Sequence, residues 1–127
     1  MQRHPWLVPF SRDHHSVLFH ALQLRRATPE SAEAVRDTFL RFWEANGPAH
    51  FDREEAMVLP ALGADHPLVS RVLSDHVRIA TEVAEISAAE DVAAPALHRL
   101  AEALTLHVRL EERELFPLVE RELAQAR

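Results

Sequence analysis

The stretch His50 to Pro60, HFDREEAMVLP, recurs position for position as His107 to Pro117, HVRLEERELFP. Each copy holds a His, a Glu four residues later, a second Glu, two apolar residues and a Pro. Upstream of each copy stands an Asp-His pair, Asp13-His14 and Asp75-His76. The repeat therefore offers four histidines and two matching glutamates, His50/Glu54 and His107/Glu111. Residues i and i+4 lie one above the other on a helix, so each His-x-x-x-Glu directs both side chains to one face.

The rest of the chain supports a helical setting for that pattern. It has only two glycines in 127 residues and is rich in Ala, Leu, Glu and Arg, a composition that favours helix and lacks any strand signal. A first helix from a Ser11 N-cap to about Arg26 has the stripe Val17, Leu18, Ala21, Leu22 and Leu24. Thr28-Pro29 starts a second helix through Val35, Phe39, Phe42 and Trp43. Asn46-Gly47-Pro48 would ordinarily end it. Trp43 and His50 are seven residues apart, however, so a kinked but continuous helix keeps both on one face, followed by Glu54, Met57 and Ala61. Asp65 caps a third helix with stripe Val69, Val72, Leu73, Ile79, Ala80 and Val83. Pro95 opens a fourth, with Leu97, Leu100, Leu104, Leu110, Leu115 and Leu118, and Pro117 kinks it near its end. Short connections make neighbours antiparallel. The expected fold is all-α, an up-down-up-down four-helix bundle over residues 11–127, preceded by an extended arm, 1–10.

Composition excludes several functions. With no cysteine, disulfides, iron–sulfur clusters and thiol chemistry are ruled out. No stretch approaches the length of a membrane span, and the N-terminus lacks a signal-peptide core. A net charge of −6 with interspersed signs gives no phosphate-binding face, so no nucleic-acid partner is expected. The expected location is cytoplasmic.

His14 and His76 fall in the middle of their helices' apolar stripes, so each of the four helices sends one His inward and two add a Glu. An uncompensated buried polar group costs roughly 2–7 kcal/mol, and a carboxylate more. Metal ions supply the compensation. Imidazole suits Fe, Zn, Cu or Ni, and two glutamates between two pairs of histidines suit a carboxylate-bridged pair of ions. The proposed metal ligands are His14, His50, Glu54, His76, His107 and Glu111. One core histidine, or one His-x-x-x-Glu, is ordinarily just a satisfied polar group or a surface pair; the doubling of both argues against that reading. His15, about 100° further round the helix, is the alternative to His14. His20 and His98 point away from the core, and His4 and His66 lack a partner motif. Glu55 and Glu112 rotate off the face and read as solvated charge. Glu114 either supports a ligand imidazole or sits at the bundle's mouth. Asp13 and Asp75 either orient ligands or serve as caps and surface charge.

These motifs resemble the hemerythrin-like, or HHE cation-binding, family across nearly the whole chain, from Asp13-His14 to Phe116-Pro117. The resemblance implies a non-haem di-iron centre in a four-helix bundle. His14 and His50 would serve one iron, His76 and His107 the other, with Glu54 and Glu111 bridging. The chain departs from the oxygen carriers at Ala80, where they have a further His, and at Glu111, where they have a shorter carboxylate. It is closer to the HHE branch with two His-x-x-x-Glu motifs, which includes sensors of oxygen, nitric oxide and iron, stress proteins and repair proteins; the last carry a cysteine-bearing segment. A chain without tyrosine has no tyrosyl-radical role. The implied function is binding or sensing of oxygen, nitric oxide or iron at two iron ions, with other divalent metals such as zinc also accommodated. The alternatives are a redox enzyme acting on peroxide or nitric oxide, and an iron store or donor.

Overall fold

A computed structural model describes residues 2–125. Helix α1 spans Val8–Arg25, α2 Ala32–Met57, α3 Pro67–Ala88 and α4 Ala94–Leu110. A five-residue π turn, Glu111–Leu115, joins α4 to α5, Phe116–Gln125, without a break. The molecule is therefore a bundle of four helical rods, with no strand among the described residues. Helix α1 packs on α4 and α2, and α3 packs on α4 and α2.

The core is divided into two apolar layers, and their membership shows the alternating topology. One layer joins the end of α1 (Leu24) to the start of α2 (Phe39, Trp43), the end of α3 (Ile79, Val83) and the start of α4 (Leu97, Leu100). The other joins the start of α1 (Phe10) to the end of α2 (Val58), the start of α3 (Val72) and the region after α4 (Leu115, Phe116, Val119). The four predicted histidines lie between the layers in sequence on every rod. Truncating a fully buried leucine such as Leu97 or Leu100 to Ala should cost about 2–5 kcal/mol.

Helix boundaries depart from the sequence reading in several places. Helix α1 starts at Val8, with Pro9 in its first turn, so residues 8–10 belong to the bundle rather than to an extended arm. Ser11 lies inside α1 instead of capping it. Thr28 to Ser31 form a hydrogen-bonded turn before α2, in which the Thr28 N–H donates to Ser31 Oγ at 2.9 Å. His66, not Asp65, caps α3: its Nδ1 accepts the Leu68 N–H at 3.1 Å. Helix α2 does run unbroken through Asn46-Gly47-Pro48, so Trp43 and His50 keep their phase and both are buried. Leu18, Leu22, Leu73 and Ala80, read as core, are exposed. The α1 stripe is instead Phe10, His14, Val17, Ala21 and Leu24.

Past each repeated Glu the phase changes. In α2 the helix gives way at Val58 to a 3-10 turn, Leu59–Ala61. In α4 the Phe116 N–H reaches back five residues to the Glu111 carbonyl. Pro117, which has no N–H to donate, follows at once. One extra residue in the turn rotates everything after it. Val58-Leu59 and Leu115-Phe116, matching positions of the repeat, are buried, whereas Met57 and Glu114 are exposed. Val119 takes the core position expected of Leu118.

Candidate metal centre

His14, His50, His76 and His107 are buried, and Glu54 and Glu111 are fully buried. Their inward atoms form two overlapping groups. In each group, His14/His50/Glu54/Glu111 and His76/His107/Glu54/Glu111, the ligand atoms lie within 4.8 Å of one another. The two carboxylates are common to both. Glu54 Oε2 is 3.3 Å from His50 Nε2, while its Oε1 is 2.8 Å from His76 Nε2. Glu111 Oε1 is 2.8 Å from His14 Nε2, while its Oε2 is 3.2 Å from His107 Nε2. Each carboxylate thus spans from one histidine pair to the other.

Each ring is fixed from behind by a carboxylate on a neighbouring rod. The His50 Nδ1–H donates to Asp13 at 2.8 Å and that of His107 to Asp75 at 3.1 Å. The His76 Nδ1–H donates to Glu55 at 2.7 Å and that of His14 to Glu112 at 2.5 Å. A bond at Nδ1 leaves Nε2 facing the centre and raises the imidazole's basicity. Glu112 is itself held by the Ser11 hydroxyl at 2.8 Å and by Arg3, whose guanidinium donates to its carboxylate at 3.1 Å and its carbonyl at 3.0 Å. Phe51 stacks on His76 with ring centres 3.8 Å apart, and Phe116 stacks on His14 at 5.4 Å.

Six carboxylates around four imidazoles make a strongly cation-seeking interior. Burial opposes the charged forms of His14, His76 and His107. Even so, hydrogen bonds to Glu111 and Glu112 hold His14 up at about 9. Bonds to Glu111 and Glu54 hold His76 up at about 10. The charge of Glu111 and the bond to Asp75 hold His107 up at about 9. Burial, and then the charge of Glu111, raise Glu54 above the usual carboxylate range. Burial acts on Glu111 too, but hydrogen bonding from Glu54 and the charge of His107 take it well below that range.

Comparison with known proteins agrees with this geometry. The family model of the hemerythrin HHE cation-binding domain matches residues 7–119. The chain belongs to that family. Neither a curated protein nor a solved structure matches it.

The side chains of this hemerythrin-family chain fit metal ions on an observation of their own. Four buried atoms, His50 Nε2, His107 Nε2, Glu54 Oε2 and Glu111 Oε2, have no hydrogen-bond partner. An orphaned buried polar atom is costly. His50 Nε2 belongs to one of the two groups and His107 Nε2 to the other, and the two glutamates to both, so a cation in each group would satisfy all four.

The six residues singled out in the sequence all converge here. His15 is exposed, whereas both ring nitrogens of His14 are engaged. Sequence reasoning misjudged Glu55 and Glu112, which it took for solvated charge and which orient His76 and His14. The signal was present: a second Glu follows the first in both copies of the repeat. Asp13 and Asp75 orient the His50 and His107 rings, while Glu114 is exposed. Arg3 gave no sequence signal. His20 is half-buried and stacks on Phe42 at 4.0 Å, and the His98 Nε2–H donates to the Ala27 carbonyl at 2.8 Å. Ala80 is exposed.

Proposed function

We propose that the centre holds two iron ions bridged by Glu54 and Glu111, one on His14 and His50 and the other on His76 and His107. In this reading the protein binds or senses oxygen, nitric oxide or iron. The observation that carries it is the reach of both buried carboxylates across two pairs of imidazoles, with one nitrogen of each pair (His50 Nε2, His107 Nε2) and one oxygen of each carboxylate left without a hydrogen-bond partner. Each ion receives four donors from the protein. That leaves coordination positions for a small ligand, and open positions on a redox metal supply electron transfer to it.

The residues around the ions have distinct tasks. Asp13, Glu55, Asp75 and Glu112 hold the four rings in one tautomer, Nδ1 protonated and Nε2 inward. The apolar layers on either side keep bulk water away and strengthen electrostatic interactions inside. Structural zinc fits less well, because it favours closed four-ligand sites with no bridging role.

Metal analysis of aerobically purified protein should give about two irons per chain, with near-ultraviolet charge-transfer absorption. Stopped-flow mixing of the anaerobic ferrous protein with oxygen, and separately with nitric oxide, should give a reaction with each without an organic substrate. One zinc per chain in protein made with ample iron would sink the two-iron reading. Multiple turnovers of peroxide or nitric oxide would favour a redox enzyme. Inertness to all three would favour iron storage or donation.

A further inference from the structure

We propose that Trp43 and Gly47 of α2 gate a narrow throat through which small uncharged ligands reach the His14–His50 side of the centre. The proposal rests on the two-metal reading above. A cavity of about 40 Å³ lies between α1 and α2. Its mouth is polar, formed by Asp13, Ser16 and Asn46, the last two exposed. Its walls include Val17, Phe42, Trp43 and Leu104, and His14, His50 and His107 form its floor. The Nε2 atoms of His50 and His107 are among the unpartnered buried atoms.

The dimensions set the ligand class. Such a volume admits a molecule about the size of one or two waters and no organic substrate. Apolar walls penalise an anion that must shed its water. A neutral diatomic molecule meets no such obstacle.

Trp43 owes its place in the wall to Gly47. A Cβ at position 47 would lie 2.4 Å from Cδ2 and Cε3 of Trp43, far inside contact distance. The indole therefore lies flat on the backbone of its own helix, one turn away. It packs against Phe39 at 6.0 Å and meets Phe51 edge-on at 5.4 Å. Any side chain at 47 displaces the ring, which itself lines the cavity. Gly47 also relieves the crowding that Pro48 imposes on the residue before it, so a variant on the opposite wall is needed. Val17, half-buried on α1, supplies it.

The test is the rate of nitric oxide association with the anaerobic ferrous protein, alongside metal content and absorption spectrum. Gly47→Ala and Val17→Phe should each slow association about tenfold, equivalent to about 1.4 kcal/mol of barrier, with metal content and spectrum unchanged. Val17→Ala should speed it. Wild type should take up nitric oxide faster than azide. In a Trp6→Phe background, Trp43 emission should shift in Gly47→Ala and stay put in Val17→Phe. Wild-type rates in both narrowing variants, with metal retained, would overturn the throat. An unmoved Trp43 emission in Gly47→Ala would overturn the gate, and equal azide and nitric oxide rates the preference for uncharged ligands. Failure of wild type to bind metal or nitric oxide is a different result, which removes the two-metal reading itself.

Discussion

Replacing Glu112 by Gln distinguishes the tertiary structure from the helical-wheel reading, which makes Glu112 a solvated charge of no consequence. In the structure it accepts the His14 Nδ1–H at 2.5 Å and is anchored by Ser11 and Arg3. Glutamine keeps the shape and one carbonyl acceptor but loses the charge. A hydrogen bond to a charged group contributes about 1.5–3 kcal/mol and a neutral one about 0.5–1.5, so the difference is about 1–2 kcal/mol. That corresponds to a loss of about fivefold to thirtyfold in metal affinity, overlapping the roughly 10–100-fold usual for partners behind a ligand histidine. The loss should fall on the ion held by His14 and His50. Titration against a chromophoric chelator should show one of two binding steps weakened, with the other near its wild-type value. Glu114→Gln, at an exposed position two residues along, is the control. Superimposable curves for Glu112→Gln and Glu114→Gln would refute the reasoning, because the bond at Nδ1 would then add nothing to the ligand.

Further outcomes follow from the same geometry. His14→Ala should lower metal content while His15→Ala leaves it unchanged; the reverse result in elemental analysis would place the wrong ring at the centre. Glu54→Ala and Glu111→Ala should each disturb both ions in Mössbauer spectra, and a mutant keeping one fully occupied, normal site would show that its carboxylate does not bridge. Without metal, the charged forms of His14, His76 and His107 persist to about 9, 10 and 9, against about 6.5 when unfolded. Their stabilisation is full below about pH 6.5 and is lost as pH rises through 9–10, so metal-free protein should melt lower at pH 10 than at pH 7. Metal uptake near pH 7 should release about three protons and tighten as pH rises. Calorimetry in two buffers of different ionisation heat reads that release, and a value near zero would contradict it. Excess metal should raise the melting temperature, since saturation at 100 times Kd adds about 2.7 kcal/mol.

The sequence by itself determined the four rods, the family and the six converging side chains. These depend on local periodicity: a His and a Glu one turn apart share a face wherever their helix packs, and a His followed by Val17 and Ala21 goes where the apolar stripe goes. The same rule failed where the backbone left the ideal period. The π turn at Glu111–Leu115 and the 3-10 turn after Val58 rotate the downstream residues. Glu114 is thereby turned outward and Val119 inward, a shift that no fixed 3.6-residue wheel contains. Contacts between rods were equally out of reach. Glu55 and Glu112 are off the inward face of their own helices, yet each meets a histidine on the next rod, because a long side chain at a helix flank reaches across the interface. The cavity beside Trp43 has the same origin. Gly47 reads as a helix breaker in the sequence; only the packed bundle shows that the missing Cβ is where an indole lies.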